Sequence, residues 1–86
     1  MQLHGRKMNF NDDIVGIAIA TGIPIEWIRE QLCTEVNKYA VSADDLSAAV
    51  VRGVILGYSF DTALETATAY IARGFRPCDI NYIPLI

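Results

Sequence analysis

The sequence predicts an all-α protein: a compact four-helix domain followed by an extended apolar C-terminal tail. Three observations carry that reading. Capping residues or proline stand ahead of four apolar stretches, near Asn11, Pro24, Ser42 and Ser59. Apolar residues recur at spacings of three and four through residues 25–39, the period of one helix face. Glycines at 22, 57 and 74 fall where the stretches end.

The first helix is expected to start within residues 9–13. Asn11 can cap it, and Asp12 and Asp13 put negative charge on its positive end. Residues 14–20 (Ile-Val-Gly-Ile-Ala-Ile-Ala) are apolar on every side, so periodicity does not separate a buried helix from a buried strand. The β-branched residues favour strand, while the acidic start and the alanines favour helix, and helix is assigned here. Thr21-Gly22-Ile23-Pro24 breaks the chain, with Gly22 ending one helix and Pro24 opening the next.

The second helix runs to about Tyr39. Ile25, Ile28, Leu32, Val36 and Tyr39 form its apolar stripe, and Glu26, Arg29, Glu30 and Lys38 fall away from it. Ser42-Ala43-Asp44-Asp45 opens a third helix with Asp in the capping-box position usually held by Glu. That helix is expected to reach about Leu56. Ala49, Gly53 and Gly57 recur every four residues and form a small-residue face for close helix packing or a second subunit. A mid-helix glycine costs about 1 kcal/mol against alanine, and close packing at Gly53 would offset it.

Gly57-Tyr58-Ser59 turns the chain, and Ser59 caps a fourth helix from Phe60 to about Arg73. Ala63, Ala67 and Ile71 line its buried side. Gly74 suits a left-handed terminus, followed by Phe75, with Arg73 and Arg76 at the negative end of the helix. The third and fourth helices therefore read as an antiparallel pair. The tail, residues 77–86, holds two prolines with Ile80, Tyr82, Ile83, Leu85 and Ile86, too apolar for a free solvated end. It is expected to lie over the helices or on a neighbouring subunit.

The chain of 86 residues makes one domain, read as residues 9–86 behind a flexible N-terminal segment or scar at residues 1–8, with Met8 an alternative start. A domain of this size hides only about two-thirds of its unfolded surface. With 52% hydrophobic and 20% charged residues, part of the apolar surface is expected in an interface, so a homo-oligomer or a bound partner is anticipated. Ten acidic and seven basic residues give a net charge of −3. An acidic surface disfavours nucleic acid and anionic membrane and suits a basic protein surface. Cys33 and Cys78 belong to no C-x-x-C motif and read as reduced thiols in a cytoplasmic protein. No apolar run approaches the ~18 residues of a membrane span.

Little in the sequence suggests chemistry. The one histidine, His4, lies in the N-terminal segment, away from either cysteine. Asp12-Asp13 and Asp44-Asp45 each sit at a helix start, and adjacent helical residues diverge rather than converge on a metal or a sugar oxygen. No phosphate-cradling glycine loop and no zinc ligand set is present. The protein is therefore read as not an enzyme, with no cofactor or metal.

Two local resemblances bear on function. Within residues 14–33, Ala18, Gly22 and Ile28 take the small, turn and anchoring positions of a segment that resembles a DNA-binding helix-turn-helix. The departure is in the second helix, where Glu26 and Glu30 stand against a single Arg29 and Pro24-Ile25 form an apolar tip, whereas base and phosphate contacts need polar or basic groups there. Residues 45–64, including Leu46-Ser47-Ala48-Ala49 and Gly57-Tyr58-Ser59, resemble the C-terminal helix pair of hydroxymethylpyrimidine and pyridoxal-type kinases. That resemblance implies the shape of a helix pair and no catalytic residue. Val41-Ser42-Ala43-Asp44 replaces the Gly-Thr-Gly anion loop of that family, and the remaining residues leave no room for its nucleotide-binding sheet.

The reading that remains is a small acidic protein-binding module of inhibitor, immunity or adaptor type, as phage and mobile elements encode, acting as a homodimer without chemistry of its own. Trp27 with Glu26 and Glu30 is the first candidate for the partner-binding surface, since tryptophan is enriched at binding hot spots. Tyr58 and Tyr82 are further candidates. The alternative is a helix-turn-helix transcriptional regulator, in which Arg29 would contact DNA.

Overall fold

The computed structural model describes residues 8–84. The N-terminal segment up to residue 7, with His4, and the last two tail residues lie outside that range. Four helices follow in order: α1 (Phe10–Thr21), α2 (Ile25–Tyr39), α3 (Ala43–Ile55) and α4 (Phe60–Ile71), then one 3-10 turn at Pro77–Asp79. No helix among the described residues is long and apolar enough to cross a membrane.

The cap of α1 lies two residues earlier than the sequence reading placed it. Asn9, not Asn11, accepts from the Asp12 N–H at 3.0 Å, and the Asp12 side chain accepts from the Asn9 N–H, closing a capping box. An Asn-x-x-Asp spacing supplies both halves of that box, which Asn11 lacks. Residues 14–20 are helical, because the start is capped and the flanking helices cover Ile14 and Ile17 completely. Gly22 (φ 77°) stops α1 in the left-handed region, and its N–H returns to the Ala18 carbonyl at 2.8 Å. Pro24 stands at the N-cap position of α2 without a side-chain cap, and Ser42 and Ser59 cap α3 and α4 by accepting from the N–H of Asp45 and of Thr62. α4 ends at Ile71 rather than Arg73. The chain then turns, with Gly74 left-handed at φ 92°.

α3 is the central element, against which α1, α2 and α4 all pack. Ile14, Ile17, Ile28, Leu32, Leu46 and Val50 are fully buried around it. From the α2 stripe only Ile28 and Leu32 are fully buried, and Tyr39 is exposed. α1 runs alongside α3 in the same direction: the Phe10 N–H donates to Asp44 Oδ1 (2.9 Å), and the Ser47 hydroxyl donates to Asp13 Oδ2 (2.7 Å).

The small-residue face is occupied from within the chain. A Cβ added at Gly53 would stand 3.0 Å from Ala63 Cβ and 2.9 Å from Tyr82 Cζ, so the glycine admits both α4 and the tail. Ala49 is fully buried on the same side. Gly57 departs from the expected face: α3 has ended, and Gly57 sits exposed in the turn at φ 105°. A spacing of four carries no facing information once the helix has stopped.

The described part of the tail lies on the helices. Ile80 and Tyr82 are buried, and the Tyr82 hydroxyl donates to the Ala49 carbonyl at 2.9 Å. Arg52 donates to the carbonyls of Pro77 (2.9 Å) and Ile80, clamping the tail to α3.

Candidate functional site

Trp27 sits in the first turn of α2. The preceding chain places it there: Thr21 Oγ1 donates to the Ile17 carbonyl and accepts from the Ile23 N–H, so the break after Gly22 is held tightly. The Trp27 N–H then donates to the Pro24 carbonyl at 3.1 Å. The indole lies tilted against Phe60, with ring centroids 5.7 Å apart, and remains 43% exposed. The two rings border an open pocket of about 460 Å³ with Ile23, Pro24, Ser59 and Asp61. Glu30, one turn after Trp27, is exposed, as are Glu26 and Arg29. An aromatic anchor, an apolar floor and the Asp61 carboxylate thus meet at this pocket, with the exposed carboxylates of Glu26 and Glu30 close in sequence on α2.

Asp61 also borders a second cleft of about 520 Å³, which continues between α2 and α4. α2 and α4 each pack on α3 and barely meet one another. Glu35 and Tyr39 form one wall, and Leu64, Glu65, Thr68 and Ala72 form most of the other. Thr68 Oγ1 is buried without a hydrogen-bond partner.

Tyr58 and Tyr82 belong elsewhere. Tyr82 leaves the candidate surface altogether, because its ring fills the space over Gly53 and only 7% of the residue is exposed. Burial pushes its hydroxyl up to about 12, against the opposing pull of Arg52, so it stays protonated and donating. Tyr58 is half-buried, with its ring 5.4 Å from that of Tyr82 and its hydroxyl donating to the Ile83 carbonyl at 2.7 Å. Both tyrosines fasten the tail.

The acidic pairs act at helix starts, in part across helices. Asp44 accepts from the first residue of α1, and Asp13 is bound by Ser47 of α3. Burial pushes the Asp13 carboxyl above its ordinary value of 3.8, with the Ser47 bond pulling the other way. Cys33 and Cys78 are exposed free thiols. Among the described residues no group of three metal-ligating side chains converges.

Sequence reasoning missed Asp61, Leu64 and Thr68 as lining residues, and Phe60 as the buried ring beneath Trp27. None of the four carries a signal of its own while the partner of α4 is unknown. Comparison of the chain with models of protein families, with curated proteins and with solved structures finds no match.

Proposed function

We propose that this protein is an acidic binding module, of inhibitor, immunity or adaptor type, which docks on a partner protein through the Trp27 end of the molecule and has no chemistry of its own. One observation carries the reading: the half-exposed indole on Phe60, beside an open apolar pocket that the exposed carboxylate Asp61 borders, with Glu30 exposed one turn further along α2. A large aromatic in such a place gains contact area when a partner covers it, and flanking carboxylates select a basic surface. A cytoplasmic setting, with the source a phage or mobile element, accords with a small acidic chain holding two free thiols. Self-association to a homodimer is supported by Val15, Ile19 and Ile55, exposed by 45%, 80% and 64%. Light scattering tests it, and a monomer at high concentration removes it.

The test of docking is retention of a partner from cytosol by the tagged protein, with and without nuclease. The expected result is one protein retained near stoichiometry after nuclease and lost with Trp27→Ala. Recovery of nucleic acid alone, lost steeply with salt and with Arg29→Ala, would instead favour the DNA-binding alternative, whose support is the succession of α1 and α2 across the short break at Gly22.

A further inference from the structure

The pocket at Trp27 and the cleft between α2 and α4 share Asp61, and together they form one groove. The two helices run in the same direction along it. Trp27 meets Phe60 near their first turns, and Glu35 and Tyr39 face Thr68 and Ala72 near their last. From Trp27 to Tyr39 the groove is about 18 Å long at 1.5 Å per residue. That is the length of a helix of about 12 residues. Its apolar surface comes from Ile23, Trp27, Phe60 and Leu64. Three carboxylates, Glu35, Asp61 and Glu65, line it against the single cation Arg73.

We infer that the groove between α2 and α4 receives an amphipathic helix of the partner protein, its apolar face on Trp27 and Leu64 and its flanks carrying lysine or arginine toward Glu35, Asp61 and Glu65. The inference rests on the docking reading above and names the chemistry of the partner. Charge complementarity selects the occupant: an acidic or neutral helix would leave three carboxylates with Arg73 as the one cation of the lining across a partly desolvated seam. Helix-in-groove recognition needs an open apolar channel of a few turns, which two helices packed on a third and held apart provide.

The test uses the full chain, isotope-labelled, titrated with three synthetic peptides of about 14 residues. One is a leucine/lysine amphipathic helix, one carries glutamate in place of lysine, and one has the lysine peptide's composition in scrambled order. The expected result is saturable shifts of Glu35, Leu64, Thr68 and Ala69 amides with the lysine helix. Affinity should be at least about tenfold weaker for the other two peptides. Glu65→Lys should weaken the lysine helix by about tenfold, and Ala69→Trp, which fills the cleft from an exposed position, should abolish it. Unchanged dispersion of the amide spectrum shows that both variants fold. Equal binding of the scrambled peptide, shifts spread over Asp12, Asp44 and Asp45, or no saturable binding would overturn the inference. Partner retention separates the two levels. Loss with Trp27→Ala but not with Ala69→Trp leaves docking standing and removes the helix in the groove, whereas retention by both variants removes docking as well.

Discussion

Two aromatic pairs flank the turn from α3 to α4, one through Tyr58 and one through Phe60, and they are built differently. At the tail, Tyr82 lies over Gly53 with its hydroxyl on Ala49, Tyr58 packs beside it, and Arg52 holds two tail carbonyls. The Tyr82 hydroxyl is hydrogen-bonded and the ring is closed in. Trp27, in contrast, leans on Phe60 with an open pocket next to it and 43% of the residue exposed. Burial with satisfied partners is what stability selects, and an exposed aromatic beside carboxylates adds little to folding. The contrast gives the tail joint a structural role and is the basis for proposing that the Trp27 edge serves recognition.

The largest expected effects lie at the tail joint. Tyr82→Ala empties the space over Gly53 and should cost about 3–5 kcal/mol, in the range of buried aromatic truncations. For a chain of this size that is a large part of the total stability. Urea unfolding measures it, and a loss no greater than that of a surface substitution would show that the tail is not integral to the fold. Gly53→Ala comes next. Helix propensity alone would favour alanine by about 1 kcal/mol. The new Cβ would stand 2.9 Å from the Tyr82 ring and 3.0 Å from Ala63, and overpacking costs about 1–3 kcal/mol. A net loss is expected in the urea midpoint, and a gain would mean that the tail joint is loose.

Asp13→Asn gives a smaller, pH-dependent effect. The folded carboxyl has a raised pKa, so the folded state holds its proton to higher pH than the unfolded chain does. Stability contributed by this group is therefore fully present below the ordinary 3.8 and is lost as pH rises through the folded value. Asparagine keeps an acceptor for Ser47 and does not ionise. The variant should match the wild type near pH 3 and exceed it in melting temperature at pH 7. An advantage that shrinks as pH rises would reverse the assignment.

The helices were legible because their information is local. Caps at Ser42 and Ser59, the left-handed stop at Gly22 and the stripe through Ile28 and Leu32 all lie within one or two turns of what they control. Trp27, Glu26 and Glu30 were legible as surface for the same reason. Tyr82 was misread because its environment comes from residues 33 positions away, and no pattern in residues 77–86 announces a glycine waiting on α3. Gly57 was misread because a repeat of four looks the same in a helix and just beyond its end. The groove could not be read at all. It exists because α2 and α4 share α3 as a support, which is a property of packing and not of either helix alone.

The measurement that tests the central claim most directly is partner retention by Trp27→Ala, set beside its thermal unfolding and that of the wild type. The assignment of the Trp27 edge to recognition predicts that the partner is lost while the melting temperature falls by only a few degrees, as suits a half-exposed side chain. Undiminished retention, or a collapse of stability as large as that expected of Tyr82→Ala, would place Trp27 with the structural joint and contradict the claim.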